Sequence, residues 1–511
     1  MINRLFAFPL LMLVVFNASI LGCGNSSAAG EGGSFSPPNI IIINMDDLGY
    51  GDVGAYGATA LSTPNIDKLA NEGLRFTNGY ATSSTCTPSR YALLTGIYPW
   101  RNKDAKILPG TAPLLIDTAL VTLPKMLKRA GYTTGVVGKW HLGLGDGQVD
   151  WNQEIVPGPR EVGFDYSFIL AATQDRVPTV YIEDAFVVGL DPDDPIQVDY
   201  QSNFEGEPTG RDNPELLKMR WHHGHDNSIV NGISRIGYMK GGTSATWVDE
   251  EMADTFLDRA KRFVRNHSKG PFFLYYAFQQ PHVPRTPHPR FVGASGMGPR
   301  GDVIVEADWA IGEFIKTLED EQLLQNTMII FTSDNGPVVN DGYHDEAVEK
   351  LGDHTPAGPL RGGKYSLFEG GVRVPFIVYW KGRISPGTTD AVVCQIDFLA
   401  SLADLVDIEV ESADSEDLME VFLGESQKGR EELVIEAMGK TAYRKGDWLL
   451  IPPHKGPAIN QNVNIELGNS EAYQLYHLKE DLGQRHNVVE QQPEKLKEMI
   501  ASFKSATAGQ K

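Results

Sequence analysis

Pro38-Asn39-Ile40-Ile41-Ile42-Ile43-Asn44-Met45-Asp46-Asp47 is the stretch that frames the whole chain. Four consecutive isoleucines without polar alternation predict a strand buried on both faces, the pattern of a central strand in a parallel sheet. The run ends on two carboxylates. Open α/β sheets place their ligands outside the carboxyl ends of the strands, so Asp46 and Asp47 stand where a site is expected. Neighbouring residues on a strand point to opposite faces. Both carboxylates can therefore meet one ion only where the strand breaks into a turn, as Leu48-Gly49 allows.

The same pattern recurs downstream. Phe272 to Ala277 reads as a core strand running on to Gln280-Pro281-His282, and Met328 to Thr332 reads as another that ends at Asp334-Asn335. Thr133 to Val137 reads as a strand leading into Lys139 and His141. Helices are expected over Ile66–Gly73, Leu123–Ala130 (stopped by Gly131), Thr246–Asn266 and Val303–Leu318. Alternating strands and helices predict an α/β class with a mostly parallel central sheet flanked by helices. The segment from 145 to 245 is rich in Asp, Pro and Asn and shows no sustained period, so it reads as a long insertion carrying substrate loops. Beyond residue 415 the texture changes to an acidic run, then short strands at 441–444, 448–451 and 473–478, and a final helix from Pro493.

A chain of 511 residues with 41% hydrophobic content and a mean hydropathy of −0.24 can bury a sizeable core. Its formal net charge of −21 argues against nucleic acid or an anionic membrane surface as partner. An anionic substrate would need a locally basic pocket. Residues 1–23 read as an export signal: Arg4, an apolar run from Leu5 to Phe16 too short to span a bilayer, and the lipobox-like Ser19-Ile20-Leu21-Gly22-Cys23. Lipidation of Cys23 would anchor an envelope lipoprotein, in the periplasm or on the outer-membrane surface, with residues 24–37 as a flexible tether. Ordinary signal-peptidase cleavage, giving a secreted protein, is the alternative. With 3 Cys in an exported chain, each has its own expected fate and no disulfide is predicted. Cys23 carries lipid, Cys394 sits in a buried strand at 391–394, and Cys86 lies in a polar stretch unlike a core.

Asp46, Asp47, Asp334 and the Asn335 carbonyl form an all-oxygen set that suits a hard divalent cation, Ca²⁺ before Mg²⁺. Pro88 is a favoured first helical residue. A helix starting there would put Arg90 and its own N-terminus near Cys86, where both favour negative charge. Lys139 and His141 are two apart and would share a face in an extended segment.

Four stretches occur in order: Asn44-Met45-Asp46-Asp47, the Cys-x-Pro-x-Arg motif within Ser84-Thr85-Cys86-Thr87-Pro88-Ser89-Arg90, Gly138-Lys139-Trp140-His141-Leu142-Gly143, and Ser333-Asp334-Asn335-Gly336. Together they resemble the type I sulfatases of the alkaline-phosphatase-like superfamily. The resemblance implies an alkaline-phosphatase-like catalytic domain over 38–414 and a smaller C-terminal α+β subdomain with an antiparallel sheet over 415–511. It also implies that a formylglycine-generating or equivalent maturation enzyme oxidises Cys86 to formylglycine (3-oxoalanine), whose hydrated aldehyde is the nucleophile. Asp46, Asp47, Cys86, Asp334 and Asn335 would then hold the cation, and Arg90 would stabilise the hydrate. Lys139 and Lys364, in Arg361-Gly362-Gly363-Lys364-Tyr365, would contact sulfate. His141 would be the base that collapses the covalent ester, and His282 the acid for the leaving alcohol.

Thr173, Asp175, Arg176 and His225 lie in the insertion. Three histidines within His222-His223-Gly224-His225 suggest zinc at first sight, but no fourth ligand is evident at metal spacing. Substrate recognition is the expected role, with Asp and Arg gripping sugar hydroxyls. Asp175-Arg176-Val177-Pro178 and Gly224-His225-Asp226 through Gly237-Tyr238-Met239-Lys240 resemble galactose- and N-acetylgalactosamine-6-sulfate hydrolases. The implied substrate is a sulfated oligo- or polysaccharide. Algal galactans of the carrageenan type are the second substrate reading. Phosphonate or phosphodiester hydrolysis is the neighbouring chemistry, and a lipoprotein that binds sulfated glycans without turnover is the non-enzymatic alternative.

Overall fold

Ile40 to Ile43 are fully buried, and the strand they form, β1 (Asn39–Met45), lies in the middle of a ten-stranded sheet. The computed structural model describes residues 37–508; the expected signal segment, the tether as far as Ser36 and the Cys23 lipid site lie outside the described residues. The other strands of the sheet are β2 (Leu74–Tyr80), β3 (Thr133–Lys139), β4 (Tyr166–Leu170), β5 (Tyr181–Glu183), β6 (Phe186–Val187), β7 (Phe272–Ala277), β8 (Thr327–Ser333), β9 (Phe376–Trp380) and β10 (Gly387–Cys394). Their order across the sheet is β10-β2-β9-β8-β1-β7-β3-β4-β5-β6. The five strands from β8 to β4 in that order run parallel, and β9 is antiparallel to both its neighbours.

Both faces of the sheet are covered, which explains why Ile40 to Ile43 run without polar alternation. Ile40 and Ile42 join a cluster with Leu93, Met126 and Trp140 on one side. Ile41 and Ile43 join Phe256, Ala260 and Phe314 on the other. Burying each isoleucine contributes about 1.5–3 kcal/mol. The register pairs Asn44 with Ala277 and with Thr332, and Met45 with Ser333. The next residues of these strands, Asp46, Phe278 and Asp334, therefore leave the sheet at one edge.

A second sheet is antiparallel: β11 (Glu432–Ala437), β12 (Lys440–Lys445), β13 (Trp448–Ile451) and β14 (Gln474–His477), packed with the helix Pro493–Ala506. It also braces the segment that leads into Cys86. Ser84 donates its N–H to the Glu436 carbonyl (3.0 Å), and Glu436 returns its own to Thr82 (3.0 Å).

Three expectations about local structure change. The 145–245 segment is not wholly irregular: Tyr166-Ser167-Phe168-Ile169-Leu170 is the core strand β4, and β5 and β6 extend the sheet beyond it. The helix expected from Thr246 begins at Met252 and runs to His267. Trp247 Nε1 instead donates to Asp249 (3.1 Å), whose carboxylate is gripped by buried Arg235 (2.8 Å), so this stretch is tied to the insertion. The helix expected over 303–318 extends to Gly298–Asp320. Among the described residues no helix is long and apolar enough to cross a membrane.

Candidate active site

β1 stops at Met45, and Asp47 takes a left-handed φ of 64°. That break is what lets two consecutive carboxylates converge. The helix carrying the Cys-x-Pro-x-Arg motif runs from Cys86 to Thr95, two residues earlier than Pro88 suggested, with the Ser89 N–H donating to the Thr85 carbonyl at 3.2 Å. Ligand atoms of Asp46, Asp47, Cys86 and Asp334 all lie within 4.8 Å of one another. Asn335 Nδ2 donates to Asp47 Oδ1 (2.7 Å), while its Oδ1 is buried without a hydrogen-bond partner. A buried acceptor left unpaired beside three carboxylates is costly. A hard dication ligated by these oxygens would satisfy it, so the donor set fits the implied metal.

Each carboxylate already faces a base. Lys139 Nζ lies 2.6 Å from Asp46, Arg90 Nε 2.8 Å from Asp334, and Lys364 Nζ 2.8 Å from Asp47 and 2.9 Å from Asp341. Burial pushes Asp46 up to about 8 against the pull of Lys139. Burial opposes the charge on both lysines, but Asp46 holds Lys139 above its ordinary value, and Asp341 and Asp47 hold Lys364 well above it. Burial pushes the Cys86 thiol up, with Lys139 opposing. A thiol held protonated in this way is a poor nucleophile near neutral pH.

Gly138 shapes the end of β3. Its φ is 112°, and a Cβ there would sit 1.8 Å from the Ala277 carbonyl oxygen. Only glycine fits, and the chain then leaves the strand through His141, itself left-handed at φ 55°. Lys139 closes β3 and His141 lies in the left-handed turn after it, so the two do not sit on one extended segment. His141 Nε2 lies 3.0 Å from the Leu108 carbonyl, which only accepts, so that nitrogen carries the proton. Nδ1 is left bare, buried and unpartnered. His282 Nδ1 faces the Val283 carbonyl at 2.8 Å, leaving Nε2 pointing toward Asp47 at 3.8 Å. Burial holds both imidazoles well below their ordinary range, reinforced by Lys139 at His141 and Lys364 at His282.

These groups line one cavity of about 210 Å³ with Cys86, Asp175, Arg176, His225, Asp341, Lys364 and Tyr365. Asp175 is fully engaged within the protein: Thr173, Arg176 Nη1 (3.0 Å) and His225 Nε2 (2.8 Å) all bind its carboxylate. Against the effect of burial, Arg176 and His225 hold it well below the usual carboxylate range. Asp175 thus orients Arg176 and His225, a different part from the direct grip on sugar hydroxyls that the sequence suggested. Gly342 makes room for the His225 ring, since a Cβ there would lie 1.9 Å from Nδ1. Sequence reading passed over Asp341 and Tyr365, whose hydroxyl is 3.4 Å from Asp341. Asn340-Asp341-Gly342 carries only a turn signal, and the tie to Lys364 exists only in three dimensions. Arg285 was also missed: it binds the Pro281, Val338 and Val339 carbonyls and Asp345, locking the His282 loop to the segment after Asn335.

A family profile described as Sulfatase matches residues 38–408. The N-acetylgalactosamine-6-O-sulfatase of Bacteroides thetaiotaomicron is 51% identical over 501 residues, covering 97% of this chain and 98% of that one. Human arylsulfatase A is 32% identical, over 89% of this chain and 83% of its own. A solved structure described under metabolism of multiple glycosaminoglycans by Bacteroides thetaiotaomicron superposes with a TM-score of 0.91 at 51% identity. It covers 92% of this chain and 99% of its own.

Proposed function

Because the chain belongs to the sulfatase family, we propose that it releases the 6-sulfate of N-acetylgalactosamine or galactose residues in glycosaminoglycan-type saccharides. A formylglycine at position 86 and a bound Ca²⁺ are part of this reading. The observation that carries it is the single small cavity in which Cys86, Lys364, His141 and His282 meet Arg176 and His225. A primary 6-sulfate projects away from its ring, so a narrow basic pocket can take it while Arg176 and His225 remain at the level of the sugar. The 51% identity with a relative of that named specificity, over nearly the full chain, supports the choice of position.

Asp46, Asp47, Asp334 and Asn335 Oδ1 would hold the cation, which when bound supplies charge compensation and acidifies a neighbouring hydroxyl. A formylglycine at position 86 would supply a hydrated aldehyde, with one hydroxyl as the nucleophile and a second whose deprotonation would let the aldehyde return and sulfate leave. The chain's own residues do the rest. Lys139 and Lys364 present fixed ammonium groups to the equatorial oxygens, and Arg90 holds Asp334 and the Lys139 carbonyl in place. The bare Nδ1 of His141 accepts the proton of the second hydroxyl. His282 must carry a proton on Nε2 to serve the leaving alcohol. A sulfate anion beside it favours that imidazolium against burial and Lys364.

His282→Ala should therefore discriminate by leaving group. On a sugar 6-sulfate, whose alkoxide needs protonation, kcat should fall by about 10²–10⁴-fold. On a nitroaryl sulfate, whose phenolate leaves unaided, the fall should stay within about tenfold. Equal losses on the two substrates would remove His282 from the acid role.

The sulfate position is tested directly by assaying 6-, 4- and 2-sulfated galactose and N-acetylgalactosamine beside carrageenan oligosaccharides. Sulfate should be freed from the 6-sulfated sugars alone. Release only from other carbons would overturn the position while leaving the sulfatase assignment intact.

A further inference from the structure

The catalytic cavity, at about 210 Å³, is smaller than the roughly 300–1,000 Å³ of ordinary small-molecule sites. It has room for one sulfated sugar, and the remainder of a saccharide must continue elsewhere. A second cavity of about 600 Å³ opens beside it. The two share Ile107, and the second is also lined by Thr85 and Pro88, which flank Cys86. Its walls are the segment from Pro99 to Ile107 and the hairpin turn between β11 and β12, where Met438 stands 57% exposed at a left-handed φ of 52°.

The chemistry of this second cavity is specific. Lys103 and Lys106 line it, and neither is paired with a carboxylate among the described residues. In a chain of net charge −21, two unpaired ammonium groups at the mouth of a site are a local reversal of sign. Trp100 lines the same cavity, stacked on Tyr98 at 5.6 Å, and its Nε1 is buried without a hydrogen-bond partner. The one carboxylate in the wall, Glu436, is turned away: it is buried and accepts from Ser83 (2.5 Å) and the Gly439 N–H. Burial also pushes it above its ordinary value, against the hydrogen bonds from Ser83 and Gly439.

We propose that this cavity binds the sugar residue adjoining the sulfated one, and that Lys103 and Lys106 select an anionic neighbour, a uronate or a second sulfate ester. The inference rests on the saccharide 6-sulfatase reading above and extends it to the next residue of the substrate. Met438, exposed on the hairpin turn, closes over the apolar face of that residue.

The test is the double variant Lys103→Ala/Lys106→Ala, which alters two exposed side chains. It is assayed on the free 6-sulfated monosaccharide and on 6-sulfated oligosaccharides whose adjoining sugar is a uronate, a sulfated sugar or a neutral sugar. The kcat/KM on anionic oligosaccharides should fall about tenfold, with the monosaccharide and neutral oligosaccharide unchanged. Whichever anionic arm responds identifies the source of the charge. An equal loss on the monosaccharide, or no loss on either anionic oligosaccharide, would overturn the proposal. Calorimetric titration of Cys86→Ala protein with an anionic oligosaccharide lacking the 6-sulfate separates the two readings. Binding that weakens about tenfold when both lysines are removed upholds the second site even if no 6-sulfate is ever released, in which case the 6-sulfatase reading alone fails. Binding indifferent to the lysines, or no binding, removes the second site.

Discussion

Cys86→Ala is expected to lower sulfate release by on the order of 10⁴-fold or more, the scale of losing a covalent nucleophile. The fold should survive. Cys86 opens its helix, and the turn there is held by the backbone bond from Ser89 to Thr85, which alanine retains. The Sγ atom itself makes one long contact, 3.7 Å to Asp46. Circular dichroism and the melting temperature should therefore match the wild type while the sulfate assay reads background. Cys86→Ser should fail as well where maturation requires cysteine. Mass analysis of the Cys86 peptide completes the experiment, since formylglycine is lighter than cysteine by the change from thiol to aldehyde. A Cys86→Ala protein that still turns over at the wild-type rate would end the formylglycine reading.

Asp334→Ala is expected to damage stability and metal response together. Arg90 is fully buried, and its guanidinium lies against Asp334 through Nε and Nη2, both at 2.8 Å. Removing the carboxylate leaves a buried positive charge without its counter-ion, which costs about 3–5 kcal/mol. The Lys139 carbonyl (3.1 Å) and the Tyr275 hydroxyl (3.4 Å) remain as partners but carry no net charge. The cation site loses an oxygen donor in the same step. In the wild type, a chelator should lower the melting temperature and sulfate release, and Ca²⁺ should restore both. In the variant the melting temperature should start lower and rise little with Ca²⁺. A wild-type response to Ca²⁺ in Asp334→Ala, or zinc as the metal found by elemental analysis, would show that the ligand set is wrong.

The parallel core was legible because its strands are covered on both sides. Runs such as Ile40–Ile43 and Phe272–Ala277 have no polar face to hide, and their carboxyl ends deliver Asp46, His282 and Asp334 to one edge. β4 was not legible, since five residues carrying Tyr166 and Ser167 inside a Pro- and Asp-rich segment give too short a periodic signal. The antiparallel direction of β9 was hidden for a different reason: an apolar run specifies burial, not orientation. At the site, the residues with a motif around them were readable and the residues defined by contact were not. Asp341 matters because Lys364 reaches it from 23 positions away. Asp175 was found, but its partnership with His225, 50 positions on, turns it into a support for its neighbours.

The pairing of each buried carboxylate with a base has a consequence for the order in which the site is filled. With every group ionised, as above the value of about 8 to which burial raises Asp46, the buried Asp46, Asp47, Asp334 and Asp341 face Arg90, Lys139 and Lys364, an excess of one negative charge. A sulfate ester entering then meets a net anion. One divalent cation inverts the sign to an excess of one positive charge, and a monoanionic ester returns the whole to neutrality. Metal and substrate are thereby linked thermodynamically: each strengthens the other's binding by the same factor. Metal bound first therefore favours substrate, and bound substrate in turn holds the metal more tightly.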